Sequence, residues 1–495
     1  MYRFTHAVLA PALALLAGCS SPSLDSTNFS CESDADCDAG KVCGIKSGAS
    51  ICLTPNTDDL IVGMSAPLQG ASQDLGIDMR RGIEAMFARA NSEGGIFGRQ
   101  LRLTALNDNY DPALALANTK LLLDIEEEVP DLEQPDVRGE DSVLALLGSV
   151  GTPPTLATAP IATKNKTVMF APFTGAQKYL RDGNSPYVYN LRAGYNEETQ
   201  AIVEYLERVR TPRVFEATEP YKRLIAFTQR DAFGDAGYVG LVNAYNSRIG
   251  TLPQPDSGLP NPSIARVQYE RDNLTSVDAA ITQTQQLLRS AVAESPTKPS
   301  VAIVMVDTYA PGNKFIRAIK DWLNADRSRA EGIDVAFIHL SFVGGDALVK
   351  ALSSTPDSYT DVVTEQSKKY AEGVLVTQVV PYYQGSAPGL VQYRSDIQKL
   401  DMGAPSFTSL EGYLAAKLFV EALRKNGAAV TSESLVRTLD TKIVDVDLGV
   451  GVQYNFSALD HQASDTVWGS EIQANGTFKI PFVWDPENGI VTSAN

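Results

Sequence analysis

The stretch LIVGMSAPLQGASQDLGIDMRRGIEAMFARANSEGGIFGRQLRLTAL, residues 60–106, decides the fold. Leu60-Ile61-Val62-Gly63-Met64 is an unbroken apolar run, the pattern of a parallel strand buried on both faces. Met79, Ile83, Met86, Phe87 and Ala90 follow at helical spacing and mark one apolar face. Asn91 and the Gly94-Gly95 pair end that helix. Leu101 to Leu106 alternates as the next strand. Together they make one βαβ unit.

The alternation continues outward. Pro112 starts a helix that runs to about Ile125, and Val143 to Leu147 is the next apolar strand. Leu224 to Phe227, Val301 to Val306, Val335 to Leu340 and Val374 to Val376 are further strands, each followed by helical spacing. Leu410 to Leu423 is strongly helical. Repeated βαβ units predict parallel sheets with helices on both faces. Glu126 to Asp141, Gly250 to Ser263 and Ala293 to Pro299 are rich in proline, glycine or acidic residues, and read as surface loops.

The N-terminus reads as a targeting segment. Arg3 supplies a positive charge, and Ala7 to Ala17 is apolar but too short to span a bilayer. Leu16-Ala17-Gly18-Cys19 then resembles the lipobox of bacterial lipoproteins, with Cys19 as the lipidated residue. Residues 1–18 would be removed, and Cys19 would carry the acyl chains. The other four cysteines, Cys31, Cys37, Cys43 and Cys52, all precede position 53. An even set in a short exported segment predicts two disulfides, with three pairings open. Spacings of five, five and eight residues lack the C-x2-C pairs of zinc sites, so no metal is expected. Residues 19–57 are read as a lipid-anchored, Cys-rich spacer.

Charge and composition exclude some functions. The 495 residues carry a formal net charge of −17, against the basic surface that a nucleic-acid partner favours. The chain lacks G-x-S-x-G, H-E-x-x-H, Walker A and G-x-G-x-x-G motifs. Its three histidines are His6 in the leader, His339 in an expected buried strand, and His461. No enzyme chemistry and no cofactor are expected.

Three stretches carry a family resemblance. They are residues 65–103 with the following Asn107-Asp108-Asn109-Tyr110-Asp111-Pro112; Leu147 to Thr152 with Ala171-Pro172-Phe173-Thr174-Gly175-Ala176; and Asp231 to Gly237. In this order and spacing they resemble the type I periplasmic binding proteins of the leucine/isoleucine/valine-binding family, the substrate receptors of ABC importers. The resemblance covers about residues 58–485. It implies an α/β chain of two doubly wound, Rossmann-like lobes joined by a three-crossover hinge, behind the small Cys-rich segment. Lobe one would use 58–190 and 380–445; lobe two, 191–379 and 446–495.

It also implies a site. Ligands of open α/β sheets sit beyond the carboxyl ends of the strands. Ser149 and Thr152 lie in the loop after Leu147, where a helix starting near Pro153 with Thr152 as N-cap would offer free N–H groups to a carboxylate. Thr174 and Ala176 match the family's second carboxylate loop. Phe233 and Tyr309 match aromatics that the second lobe brings over the ligand. Asp108 and Asp111 match a turn, and are read as structural. Family members that bind α-amino acids place an acid after the strand written here as Val335 to Leu340. This chain has Ser341 or Phe342 there. Either Asp307 or Asp346 replaces that acid, or the ligand is not an α-amino acid; an amide, a carboxylate or an aromatic acid stays open.

The function implied is an extracytoplasmic solute-binding lipoprotein. It would capture a small amino-acid-like, amide or carboxylate ligand between its lobes and deliver it to the membrane permease of an ABC importer. The alternative is a ligand-binding sensory component acting through a separate membrane partner. Either would sit in the cell envelope, lipid-anchored, facing the periplasm or on the outer membrane.

Overall fold

The computed structural model describes residues 31, 33–37, 39–46, 49–53, 58–181, 186–215, 219–251 and 264–492. The expected leader, Cys19 and most of the loop expected at 250–263 lie outside the described residues. Among the described residues no helix is long and apolar enough to cross a membrane.

Two sheets organise the chain. The first holds β1 (Leu60–Ala66), β2 (Leu101–Asn107), β3 (Ala145–Leu147), β4 (Val168–Phe170) and β5 (Val188–Tyr189). It is wholly parallel, in the order β2-β1-β3-β4-β5. β1, β3 and β4 are buried almost throughout, which is why each reads as a continuous apolar run. Its helices include α1 (Gln73–Ser92), α2 (Pro112–Leu122) and α3 (Thr152–Lys164). All five residues of the apolar face read on α1 are buried.

The second sheet holds β6 (Leu224–Gln229), β7 (Ala265–Tyr269), β8 (Ser300–Val306), β9 (Asp334–His339), β10 (Leu375–Gln378), β11 (Val467–Ile472), β12 (Phe478–Asp485) and β13 (Gly489–Thr492). Its order is β7-β6-β8-β9-β10-β11-β12-β13. The first five strands are parallel; the last three form an antiparallel meander. The expected parallel doubly wound pattern therefore stops at β10. Short links suffice for antiparallel neighbours, and Asn475-Gly476 and Asn488-Gly489 supply the turns.

The second sheet's helices are α4 (Tyr195–Arg208), α5 (Ala232–Arg248), α6 (Val277–Glu294), α7 (Tyr309–Asn324), α8 (Arg327–Gly332) and α9 (Gly345–Leu352). α10 (Pro388–Lys399), α11 (Phe407–Asn426) and α12 (Ser432–Lys442) return to the first sheet, where α10 and α11 pack on α1 and α12 reaches β4. The chain thus passes between the sheets near 190–194, 379–387 and 443–466. The first and third passages are tied together: Asn190 N donates to His461 O (2.7 Å), and Ala463 N donates to Asn190 O (2.8 Å).

Two glycines explain the closeness of α1 and α11. A Cβ on Gly82 would lie 1.9 Å from Ser409 O, and one on Gly412 would lie 2.2 Å from Met79 O. Glycine inside a helix costs about 1 kcal/mol relative to alanine, but here it lets two backbones touch.

Cys31 bonds to Cys43 and Cys37 to Cys52, which resolves the three open pairings. The hairpin Val42–Lys46/Ala49–Leu53 rests on α12.

Candidate functional site

The loops after β3 and β4 run side by side at the carboxyl ends of the first sheet. Gly151 N donates to Phe173 O (3.1 Å), and Phe173 N donates to Ser149 O (2.7 Å). Gly151 sits at φ 102°, and a Cβ there would lie 2.2 Å from Tyr110 Cε2. Only glycine meets both demands at once. Gly151, and not Thr152, is the residue before α3; Thr152 is the first helical residue, followed by two prolines. The shift of one residue turns the Thr152 side chain from capping its own helix toward the neighbouring loop. Its hydroxyl lies 2.7 Å from that of Thr174, both fully buried.

Thr174 and Ala176 are braced from behind. Arg181 donates to Thr174 O (3.0 Å) and Ala176 O (2.7 Å), and burial pulls its guanidinium down to about 10. Tyr195, at the start of α4, donates its N–H to Gly175 O (2.6 Å). Its ring lies against Gly175, where a Cβ would come within 2.3 Å. The Tyr195 hydroxyl faces those of Thr152 and Thr174, is buried, and has no aligned hydrogen bond. Ser149, Thr152, Thr174 and Ala176 are therefore brought together, with Tyr195 added to them.

Rings from both sheets meet beside these hydroxyls. Phe342, in the turn after β9, packs on Phe233 (4.6 Å between centroids), Phe173 (5.4 Å) and Tyr110 (6.0 Å). Phe233 in turn meets Tyr195 (5.6 Å). Asp231 caps α5 and so positions Phe233, accepting from Phe233 N (3.0 Å) and Gly234 N (3.4 Å). Asp111 caps α2, and Asp108 accepts from Ser65 Oγ and Tyr110 N, each at 2.8 Å, so both are structural residues of a turn.

A buried charge cluster closes one end. Arg192 Nη2 donates to Glu198 Oε1 (3.1 Å) and to Ser341 Oγ, and its guanidinium lies 4.9 Å from the centre of the Phe173 ring. Glu198 also accepts from Ser341 N (2.7 Å) and the Thr377 hydroxyl. Glu411 stands 3.5 Å from Arg192 Nη1, and burial pushes its carboxyl up to about 7. Arg192 Nε and Nη1 have no aligned acceptor.

Tyr309 and Asp307 stand apart from the rings. Tyr309 begins α7, and its hydroxyl accepts from Asp74 N (3.4 Å) at the start of α1, a contact between the two halves. Asp307 turns away: Oδ1 lies 2.8 Å from His339 Nδ1, both fully buried, and Oδ2 lies against Gly312 of α7. Asp346 is committed too, accepting from the Tyr383 hydroxyl (2.7 Å) and Phe407 N (2.9 Å). A cavity of about 580 Å³, lined by Pro212, Ile225, Ala265 and Ser300, opens at the amino ends of the second sheet. That is the wrong end of the strands for a ligand site.

Tyr110, Phe173, Arg192 and Tyr195 were not read as site residues. Tyr110 and Phe173 lie inside the stretches that carry the family resemblance, so their aromatic character is a usable clue. Nothing local marks Arg192, whose partners are six to more than two hundred positions away.

With this geometry in view, comparisons place the chain. The family model described as periplasmic binding protein matches residues 60–252 and 343–477. The crystal structure of a possible leucine/isoleucine/valine-binding protein from Rhodopirellula baltica SH 1 is 30% identical, with a TM-score of 0.66 over 86% of this chain and 96% of that one. A branched-chain amino acid ABC transporter protein from Thermus thermophilus with bound valine shares the fold, at 16% identity and a TM-score of 0.63, over 89% of this chain and 98% of that one. The Leu/Ile/Val-binding protein homolog 2 of Brucella abortus (strain 2308) is 28% identical over 116 residues, 23% of this chain and 27% of that protein. The matched stretch thus spans about a quarter of that relative. The chain belongs to the periplasmic binding protein family, with the type I fold of its Leu/Ile/Val-binding members.

Proposed function

We propose that this protein is a solute receptor and not an enzyme. It holds a small carboxylate-bearing ligand between its lobes and presents it to an ABC-type importer from outside the cytoplasm. One observation carries the reading. Hydroxyls from two neighbouring loops of the first sheet, those of Thr152 and Thr174 with Ser149 beside them, converge with rings of the second sheet at the carboxyl ends of both. The start of α3 turns the Thr152 N–H and the positive end of a helix dipole to the same place, Pro153 and Pro154 having no N–H and Thr155 N donating to Gly151 O, and a positive helix end suits an anion. Ligand touching both halves would select the closed arrangement by a hinge motion about the three passages. Asp307 and Tyr309 are assigned different parts: Asp307 secures β8 to β9 through His339, and Tyr309 meets α1 on closure.

The Leu16-Ala17-Gly18-Cys19 motif supports a lipid anchor at Cys19. The Cys-rich segment would then space the receptor from the membrane.

A thermal-shift screen of the mature chain against amino acids, amides and carboxylates tests the receptor reading. Ligand at about 100 times its dissociation constant adds roughly 2.7 kcal/mol of stability. A panel that leaves the melting temperature unchanged refutes it. Intact mass of protein extracted from membranes tests the anchor: a diacylated mass starting at Cys19 is expected, and an unmodified one rejects it.

A further inference from the structure

Several buried polar atoms around the ring cluster make no aligned hydrogen bond, and all of them can donate. Arg192 Nε and Nη1, Tyr195 Oη and Tyr110 Oη are all buried and have no aligned hydrogen bond. Guanidinium nitrogens donate only, and phenol hydroxyls give up their strongest interaction when they find no acceptor. A buried polar atom without a partner is costly, so this set calls for a ligand rich in acceptors.

Most carboxylates nearby are already engaged. Glu198 receives Arg192, Ser341 and Thr377. Asp231 caps α5 and takes the Gln229 amide (2.6 Å). Asp346 takes the Tyr383 hydroxyl and Phe407 N. Glu411 has only the Arg192 cation beside it. Asp307 Oδ2 is unpaired, but it lies against Gly312 of α7 and not among the rings. In their place the turn after β9 sends in Phe342, fully buried among Tyr110, Phe173 and Phe233.

Ring faces could in principle hold a cation. Here two of them are taken. The Arg192 guanidinium lies 4.9 Å from the centre of the Phe173 ring, and that of Arg271 lies 5.8 Å from the centre of Tyr110. A ligand ammonium would lose its water, find the carboxylates nearest the rings, Glu198 and Glu411, already facing Arg192, and meet two like charges.

We infer that the ligand of this cleft is a carboxylate bearing no ammonium group, an aryl- or alkyl-carboxylate or its 2-oxo counterpart, with its apolar end against Phe233 and Phe342. This goes one step beyond the receptor reading, on which it rests. The carboxylate takes the Thr152, Thr174 and Tyr195 hydroxyls, and a 2-oxo group offers one more acceptor to the same donors.

Matched pairs test it on the full mature chain by isothermal titration: L-phenylalanine against 3-phenylpropanoate and phenylpyruvate, and L-leucine against 4-methylpentanoate and 4-methyl-2-oxopentanoate. In at least one set the deaminated member should bind about tenfold or more tightly than its amino acid. Amino acids that match or surpass their deaminated partners overturn the inference and leave the receptor reading standing. Binding by no member of either set removes both for carboxylates of this size. Phe342→Asp, which places an acid among the rings, should reverse the preference if it folds. Phe342→Leu is the conservative control, and should keep the preference for the deaminated ligand.

Discussion

Replacing Thr152 by valine removes one hydroxyl and almost no volume. In the folded protein that hydroxyl lies 2.7 Å from Thr174 Oγ1, and both residues are fully buried. The variant therefore leaves the Thr174 hydroxyl with only the Ala176 N–H (3.3 Å) and no acceptor for its own proton, which costs about 1 kcal/mol of stability. Thr174→Val does the same in reverse. The double variant removes both groups and should cost less than the sum of the singles, a coupling that a double-mutant cycle reads directly. Ligand binding responds differently. A hydrogen bond to a charged group is worth about 1.5–3 kcal/mol, so each single variant should weaken carboxylate binding roughly 10- to 150-fold. The double variant should be at least as weak as either single, with no recovery. Urea unfolding gives the first set of numbers, and titration with the tightest-binding carboxylate gives the second. Variants that fold, show the stability coupling and bind with the parent's dissociation constant would refute the assignment of the α3 start as the carboxylate site.

Gly151→Ala should damage both fold and site, because the residue sits at φ 102° and its new Cβ would lie 2.2 Å from Tyr110 Cε2. A loss of about 1–3 kcal/mol in urea unfolding and a marked loss of ligand affinity are expected. Stability should depend on pH with a definite sign. Burial raises Asp108 and Asp346 to about 6 and Glu411 to about 7. Each binds its proton more tightly folded than unfolded, so the contribution is complete below the ordinary carboxyl range and is lost as pH rises through 6 and 7. The urea midpoint should be higher near pH 5 than near pH 8, and Glu411→Gln should flatten the upper part of that slope. Peptide mapping under non-reducing conditions should recover Cys31–Cys43 and Cys37–Cys52 alone. Gentle reduction should loosen only the N-terminal hairpin and leave the melting of the two lobes unchanged.

The elements legible in the sequence were those that bury a repeating pattern. β8 and the α1 face are apolar because each is covered on every side that the period exposes, and β1 is so at every position but Ile61. Ser149, Thr152 and Thr174 were legible for a related reason: each follows a short apolar strand, and ligands of such sheets gather where strands end. Residues whose role depends on register were not. His339 meets Asp307 because β8 and β9 pair Met305 with His339, and neither residue's neighbours reveal that pairing. Arg192 is held by residues of α4, of the turn after β9 and of α11, so three separate parts of the chain must fold before its partners exist. Phe342 looked like the mere absence of an acid. In the structure it is a positive feature, a ring that completes an apolar wall between the halves. The difference has a physical basis. A head group of fixed chemistry can be met by hydroxyls and helix N–H groups that recur after every strand. The rest of the ligand is met by whichever side chains the loops of the other lobe deliver, and those arrive through long-range packing. Hydroxyl placement can therefore persist across relatives while the wall facing it changes by single substitutions. In this chain Phe342 and the two guanidinium groups set the wall against a cation.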